Sequence, residues 1–182
     1  FGIVMGASHC EMLLRNNVTE WDDKTMGDYQ YDTNKDRVYT YWEDRVRMNA
    51  EYESTWPIGM RGEHDGAFHT VNSKDTQYKV QLLQDIMNDQ RKMISDWINP
   101  NPSLVPQIFT PYKEVLGLYN SGLEVPDDVT LVWPDNNHNA IRQLPNSEER
   151  LRPGGNGVYY HFQYKGNRQN YTCLYSVSLP LI

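Results

Sequence analysis

Five stretches of the chain set apolar and β-branched residues side by side: "FGIVMG" (1–6), "STWPIGM" (54–60), "LVPQIFT" (104–110), "VTLVW" (129–133) and "GVYYHFQY" (157–164). Short apolar runs of this kind, bounded by turn residues, predict strands covered on both faces, as in a parallel sheet. Between them the apolar spacing changes to three and four. In "TNKDRVYTYWEDRVRMNA" the positions Val38, Tyr41, Trp42, Arg45, Val46 and Met48 predict a helix face, entered through Thr33 as its cap. In "KDTQYKVQLLQDIMNDQRKMISDWIN" Leu83, Ile86, Met87, Met93, Ile94, Trp97 and Ile98 predict a second helix, which stops at Asn99 ahead of Pro100. "YKEVLGLYNSG" (112–122) predicts a shorter helix closed by Gly122, and "NSEERLR" (146–152) another with an Asn or Ser cap.

Strands that alternate with helices predict parallel βα units with right-handed crossovers, in an open doubly wound sheet or a (β/α) barrel. No Gly-rich dinucleotide or phosphate loop is present, which favours the barrel. A complete barrel takes eight strands and about 250 residues. The expected fold is therefore an α/β partial TIM-type barrel, with residues 1–182 as a single domain that is a fragment of a (β/α)-barrel catalytic domain.

Composition narrows the partners. A formal charge of −7 and no clustered basic face argue against nucleic acid. No apolar run approaches the length of a transmembrane helix, and the N-terminal stretch has no basic segment of a signal peptide. Cys10 and Cys173 are too few and too far apart to define a disulfide framework or a zinc site. Thirteen Tyr and five Trp suit core edges and also platforms for sugar rings.

In parallel barrels the chemistry sits where the strands end, so the residues after each run matter most. After the first come His9, Glu11, Asn17 and Glu20; after the second, Arg61, Glu63, His64 and Asp65. After the third come Thr110, Tyr112 and Glu114; after the fourth, Trp133, Asp135, Asn136 and Asn137; His161 lies on the fifth. Each has a plain structural reading: Glu114 in a first helical turn favours the dipole, Asp135 and Asn136 suit a cap, and Arg61 suits an ion pair with Asp65. Their common address is what carries a functional one.

The chemistry follows by exclusion. "HCE" and "EHD" lack the spacing that makes a zinc site, no nucleophile elbow occurs, and no cofactor is called for. Two carboxylates, Asp65 and Glu114, remain on neighbouring strand ends among amides and aromatics. That is the equipment of glycoside hydrolysis, in which one carboxyl protonates the leaving oxygen while another group activates water or attacks.

The blocks "FGIVMGASHCEMLLRNNVTEW", "GMRGEHD" (59–65), "KEVLGLYNSGLEVPDDVTLVWPDNN" (113–137) and "LPNSEERLRPGGNGVYYHFQY" (144–164) resemble the catalytic region of glycoside hydrolase family 115, the xylan α-1,2-glucuronidases. The resemblance implies an inverting hydrolase that removes glucuronic acid or its 4-O-methyl ether from xylan. Glu114 would be the general acid, and Asp65, helped by Asn137, would activate water, with the reverse assignment open. Arg61, His161, Trp133, Asp135, His9, Glu11 and Asn17 would contact substrate, Arg61 through the sugar carboxylate. Glucuronoxylan or its oligosaccharides and further domains of a longer parent chain are the implied partners, with a homodimer open and a periplasmic or extracellular location. The other reading is a carbohydrate-binding or inactive remnant of such an enzyme.

Overall fold

A computed structural model of the chain describes residues 3–136 and 140–161, together with the backbone of 164–165 and 167–168. Its elements are α1 (Asn17–Glu20), α2 (Asp23–Met26), α3 (Lys35–Met48), β1 (Trp56–Pro57), α4 (Thr76–Trp97), β2 (Gln107–Phe109), α5 (Glu114–Asn120), β3 (Thr130–Pro134), β4 (Asn156–Tyr159), β5 (Tyr164–Lys165) and β6 (Asn167–Arg168). β1 to β4 form one parallel sheet in chain order, and β5 pairs antiparallel with β6. The expected alternation of parallel strands and helices is therefore present.

The first apolar run differs from expectation. Among the described residues it joins the sheet only through a parallel bridge between Met5 and Ser54, and Ile3, Val4 and Met5 are exposed. A strand needs a neighbour on its outer side to bury both faces and bond both edges; on the described residues this run has one neighbour.

β3 also corrects the expectation that the strand breaks before Pro134. Leu131 and Asp135 donate their N–H groups to Gly155 and Tyr159 of the β4 side, so residues of that parity face β4. Pro134 has the opposite parity and faces β2, whose pairing with β3 already ends at Phe109 and Leu131. No donor is required there, so proline extends the strand at no cost in ladder bonds.

The helices start and stop close to where their patterns predict. Asp75 caps α4 by accepting a hydrogen bond from the Tyr78 N–H at 3.0 Å. α3 begins after Asn34 rather than Thr33; the Asn34 amide donates instead to the Met26 and Asp28 carbonyls, tying down the preceding loop. The segment 146–152 holds only a 3-10 turn, Glu149–Leu151, because Pro153 follows directly. Just ahead of it, Asn146 Oδ1 accepts from the Glu148 and Glu149 N–H groups, in line with the Asn expected to open this segment.

Val38, Trp42, Leu83, Ile86, Met87, Met93 and Ile94 of α3 and α4 form the core with Trp56, Ile58, Phe109, Leu131 and Trp133 of the sheet region. At its centre Gln90 of α4, fully buried, brackets one peptide unit of the β1 exit. Its Oε1 accepts from Gly59 N at 2.7 Å and its Nε2 donates to Gly59 O at 2.8 Å. Ladder pairing stops at Ile58, whose N–H reaches Ile108 O, so this side chain satisfies backbone groups that would otherwise be buried and unpaired. Gly59 has φ +104, and a Cβ there would meet the Phe109 ring at 3.0 Å. The turn so fixed delivers Arg61 to the sheet's end.

Candidate active site

Arg61 emerges from that turn with its side chain only 2% exposed. Its Nε donates to Glu114 Oε1 at 3.1 Å and its Nη2 to Glu114 Oε2 at 2.9 Å, a bidentate pair across the ends of β1 and β2. Its Nη1 donates to the Asp65 carbonyl at 2.8 Å and to Asp65 Oδ1. One guanidinium thus holds both candidate carboxylates.

Local backbone makes this reach feasible. In "GEHDG" His64 and Asp65 are both left-handed, at φ 51 and 64, which costs on the order of 1 kcal/mol or more per residue. The loop closes through Gly62 N to Gly66 O at 2.9 Å, and a Cβ on Gly62 would stand 2.8 Å from Ala67 O. Lys113 also has a positive φ, 51 with ψ −115, immediately before Glu114 opens α5. Glu114 then accepts a third bond, from Phe68 N at 2.7 Å. Strained backbone on both sides serves the same pair of acids.

His9 joins from the first segment: its Nε2 lies 3.0 Å from Asp65 Oδ1 and its Nδ1 3.1 Å from Ser8 Oγ. Burial, then the positive charge of Arg61, lowers its pKa from 6.5 to about 3, with His161 and Lys113 acting the same way and Glu114 opposing. The ring is therefore neutral at ordinary pH. A carboxylate accepts only, so Nε2 carries the proton toward Asp65 and Nδ1 accepts from Ser8.

A second group lies beside the first. Asp135, its side chain inaccessible, accepts from His161 N at 2.9 Å and from His161 Nδ1. This fixes the imidazole's orientation and proton position. Aromatic rings link the two groups. Tyr112 packs against His9 at a centroid distance of 4.0 Å and against His161 at 5.9 Å, and Tyr159 meets His9 and His161 at 5.0 Å each.

Of the residues expected from sequence, Arg61, Asp65, Glu114 and His9 form one bonded cluster, and Asp135 and His161 form its neighbour. Glu11 is turned to its own segment, where it accepts from Ser8 N and borders a cleft of about 300 Å³ with Arg45 and Tyr52. Asn17 is buried at the head of α1, with its Nδ2 lacking a hydrogen-bond partner among the described residues. Trp133 does not offer a sugar platform: it is 1% exposed, its Nε1 donates to Asn156 at 2.8 Å, and its ring meets Tyr119 of α5. Asn137 lies outside the described residues; the loop that carries it is closed by Asn136 N to Ala140 O and Ala140 N to Asn136 Oδ1.

Sequence reasoning placed Tyr112 at a strand end without giving it a role, and passed over Tyr159 and Lys113. Lys113, its side chain 43% exposed, stands 3.5 Å from Asp65 Oδ2 and 4.9 Å from the Tyr112 ring centroid. Its position beside Glu114 was the available signal. Arg61, in contrast, has all three nitrogens donating to protein acceptors, so Lys113 is the more accessible cation beside the acids. Among the described residues one group has the reach to hold a metal ion: His9, Cys10 and Asp65.

One buried arginine thus holds two carboxylates at the ends of parallel strands, and the comparison with known proteins gives the family. The model of glycosyl hydrolase family 115 matches residues 1–182. The chain belongs to that family. A solved structure described as "a novel family GH115 4-O-Methyl-alpha-glucuronidase, BtGH115A, with specificity for decorated arabinogalactans" superposes with a TM-score of 0.83 at 47% identity, over 91% of this chain and 22% of that one. The chain thus spans about a fifth of the length of that family 115 relative. A search of curated proteins found no match.

Proposed function

We propose that the intact protein removes glucuronic acid or its 4-O-methyl ether from glucuronoxylan with inversion at the anomeric carbon. The observation that carries this reading is the single buried guanidinium of Arg61 bound to both Glu114 and Asp65. It sets two carboxylates at adjacent strand ends with fixed orientation, as acid and base catalysis on a glycosidic bond needs. Glu114 protonates the leaving oxygen, and Asp65, with Asn137, activates water. Arg61 positions both acids, Lys113 offers charge to the sugar carboxylate, and Asp135 orients His161 toward the same end of the sheet. A polymeric substrate also implies periplasmic or extracellular action.

A second reading keeps the sugar and changes the polymer. It is favoured by the 47% identity to a relative described as specific for decorated arabinogalactans. Glucuronic acid release from the two polysaccharides, measured side by side, separates them.

Roles are tested with Glu114→Gln, Asp65→Asn and Asn137→Ala in the intact protein. Each loses turnover on polymer, by about 10²–10⁴-fold for the acid and the base. On an aryl glucuronide with a good leaving group, only the acid variant recovers. Recovery of Asp65→Asn instead reverses the assignment, and full activity in both carboxylate variants sinks the reading. Proton NMR of the first-formed product anomer checks inversion.

A further inference from the structure

We infer that the candidate active site also contains an inhibitory site for a thiophilic divalent cation, zinc above all, built from a ring nitrogen of His9, Cys10 Sγ and an Asp65 oxygen. One ligand atom from each residue lies within 4.8 Å of the other two, and Nε2, 3.0 Å from Asp65 Oδ1, is the ring nitrogen that already faces the carboxylate. A tetrahedral zinc with Zn–N and Zn–S arms of about 2.0–2.3 Å spaces its ligands by roughly 3.3–3.8 Å. The side chains need shift by no more than about an ångström.

The surroundings allow it. Cys10 is half-buried and Asp65 is 37% exposed, so an ion has a solvent route, and its fourth position is left to water. In the metal-free state Asp65 Oδ1 is shared between His9 and Arg61, and the thiol donates weakly to Ser8 Oγ at 3.9 Å. On binding, the thiol loses its proton to solvent and becomes a thiolate ligand. The imidazole stays neutral: its proton leaves Nε2 for Nδ1, and the Ser8 hydroxyl, 3.1 Å away, turns from donor to acceptor.

Arg61 decides which metals enter. A cation here must take an Asp65 oxygen from a guanidinium, with Lys113 close by, so hard ions such as magnesium or calcium, which depend on carboxylates, are disfavoured. A metal with strong sulfur and imidazole bonds is not. The same competition makes the site inhibitory, since the ion withdraws Asp65 and His9 from the cluster. This consequence rests on the hydrolase reading, whereas metal binding itself does not.

Cobalt(II) is titrated into the intact metal-free protein as a spectroscopic probe, and zinc is titrated during turnover. A near-ultraviolet thiolate-to-cobalt charge-transfer band is expected, together with zinc inhibition relieved by a chelator. Cys10→Ser is expected to remove the band and to raise the half-inhibiting zinc concentration at least tenfold, leaving metal-free turnover within twofold. Cys10→Ala replaces it if the serine variant does not fold. Absence of the band, its persistence in either variant, or equal zinc sensitivity overturns the site. Should metal-free turnover be missing from the start, the hydrolase reading fails while the cobalt spectrum still decides the metal site.

Discussion

Lowering the pH should unfold this region partly through His9, and the size of the effect can be worked from its surroundings. The imidazole is 7% exposed, lies against Tyr112 and Tyr159, bonds Asp65, and faces Arg61, Lys113 and His161, with Glu114 opposing them. Burial foremost, then Arg61, takes its pKa from 6.5 to about 3. The unfolded chain therefore binds this proton first as the pH falls, so the stability is fully present above pH 6.5 and is lost progressively toward pH 3. At ~1.4 kcal/mol per pH unit the whole window is worth about 5 kcal/mol, of which about 3 kcal/mol falls between pH 6.5 and 4. Other carboxylates titrate in the same range, so the measurement is a difference. Denaturant unfolding followed by tryptophan fluorescence is compared for the wild type and His9→Gln at pH 7, 5 and 4. Gln keeps a donor for Asp65 without the titration. The wild type should lose about 3 kcal/mol more than the variant across that range. Parallel losses would show that His9 does not stay neutral in the folded protein and would refute the argument.

Arg61→Met removes the clamp while keeping the stem volume. A fully buried pair would cost ~3–5 kcal/mol, but the Glu114 and Asp65 side chains are 29% and 37% exposed, so screening brings the expected loss to about 2–3 kcal/mol, read by thermal unfolding together with near-complete loss of turnover. Retained turnover would remove Arg61 as the positioning group. Trp133→Ala should destabilise by about 3–5 kcal/mol, whereas Trp133→Phe should leave KM for the polysaccharide unchanged, as befits a ring with no open face. A large rise in KM for the phenylalanine variant would place that ring against the sugar.

Much of the architecture was legible in the order of residues. Apolar runs alternating with patterns of three and four determined a parallel sheet with helices between its strands, because each periodicity has one way to bury its face. The Asn146 signal was legible too, since a short side-chain oxygen satisfies amides that nothing else reaches, whereas Asp75 as the cap of α4 emerged only from the structure. The clustering of Arg61, Asp65 and Glu114 was visible as well, through the rule that parallel strands point one way and bring their ends together.

What the sequence could not show depends on contacts between distant segments. Whether Trp133 faced a sugar or the core was decided by α5 and Asn156, which enclose it. Whether Arg61 was a free fork or a clamp was decided by four acceptor atoms of Glu114 and Asp65 that converge on it only after folding. Pro134 extends a strand because its neighbour β2 has already ended, a fact of register rather than of propensity. His9 and Cys10 lack metal-site spacing in sequence, and gain metal reach only when Asp65 arrives from another turn. Local sequence sets which conformations a segment prefers, but the partners of a buried polar group are chosen by the tertiary fold, since burial without a partner is what the chain can least tolerate.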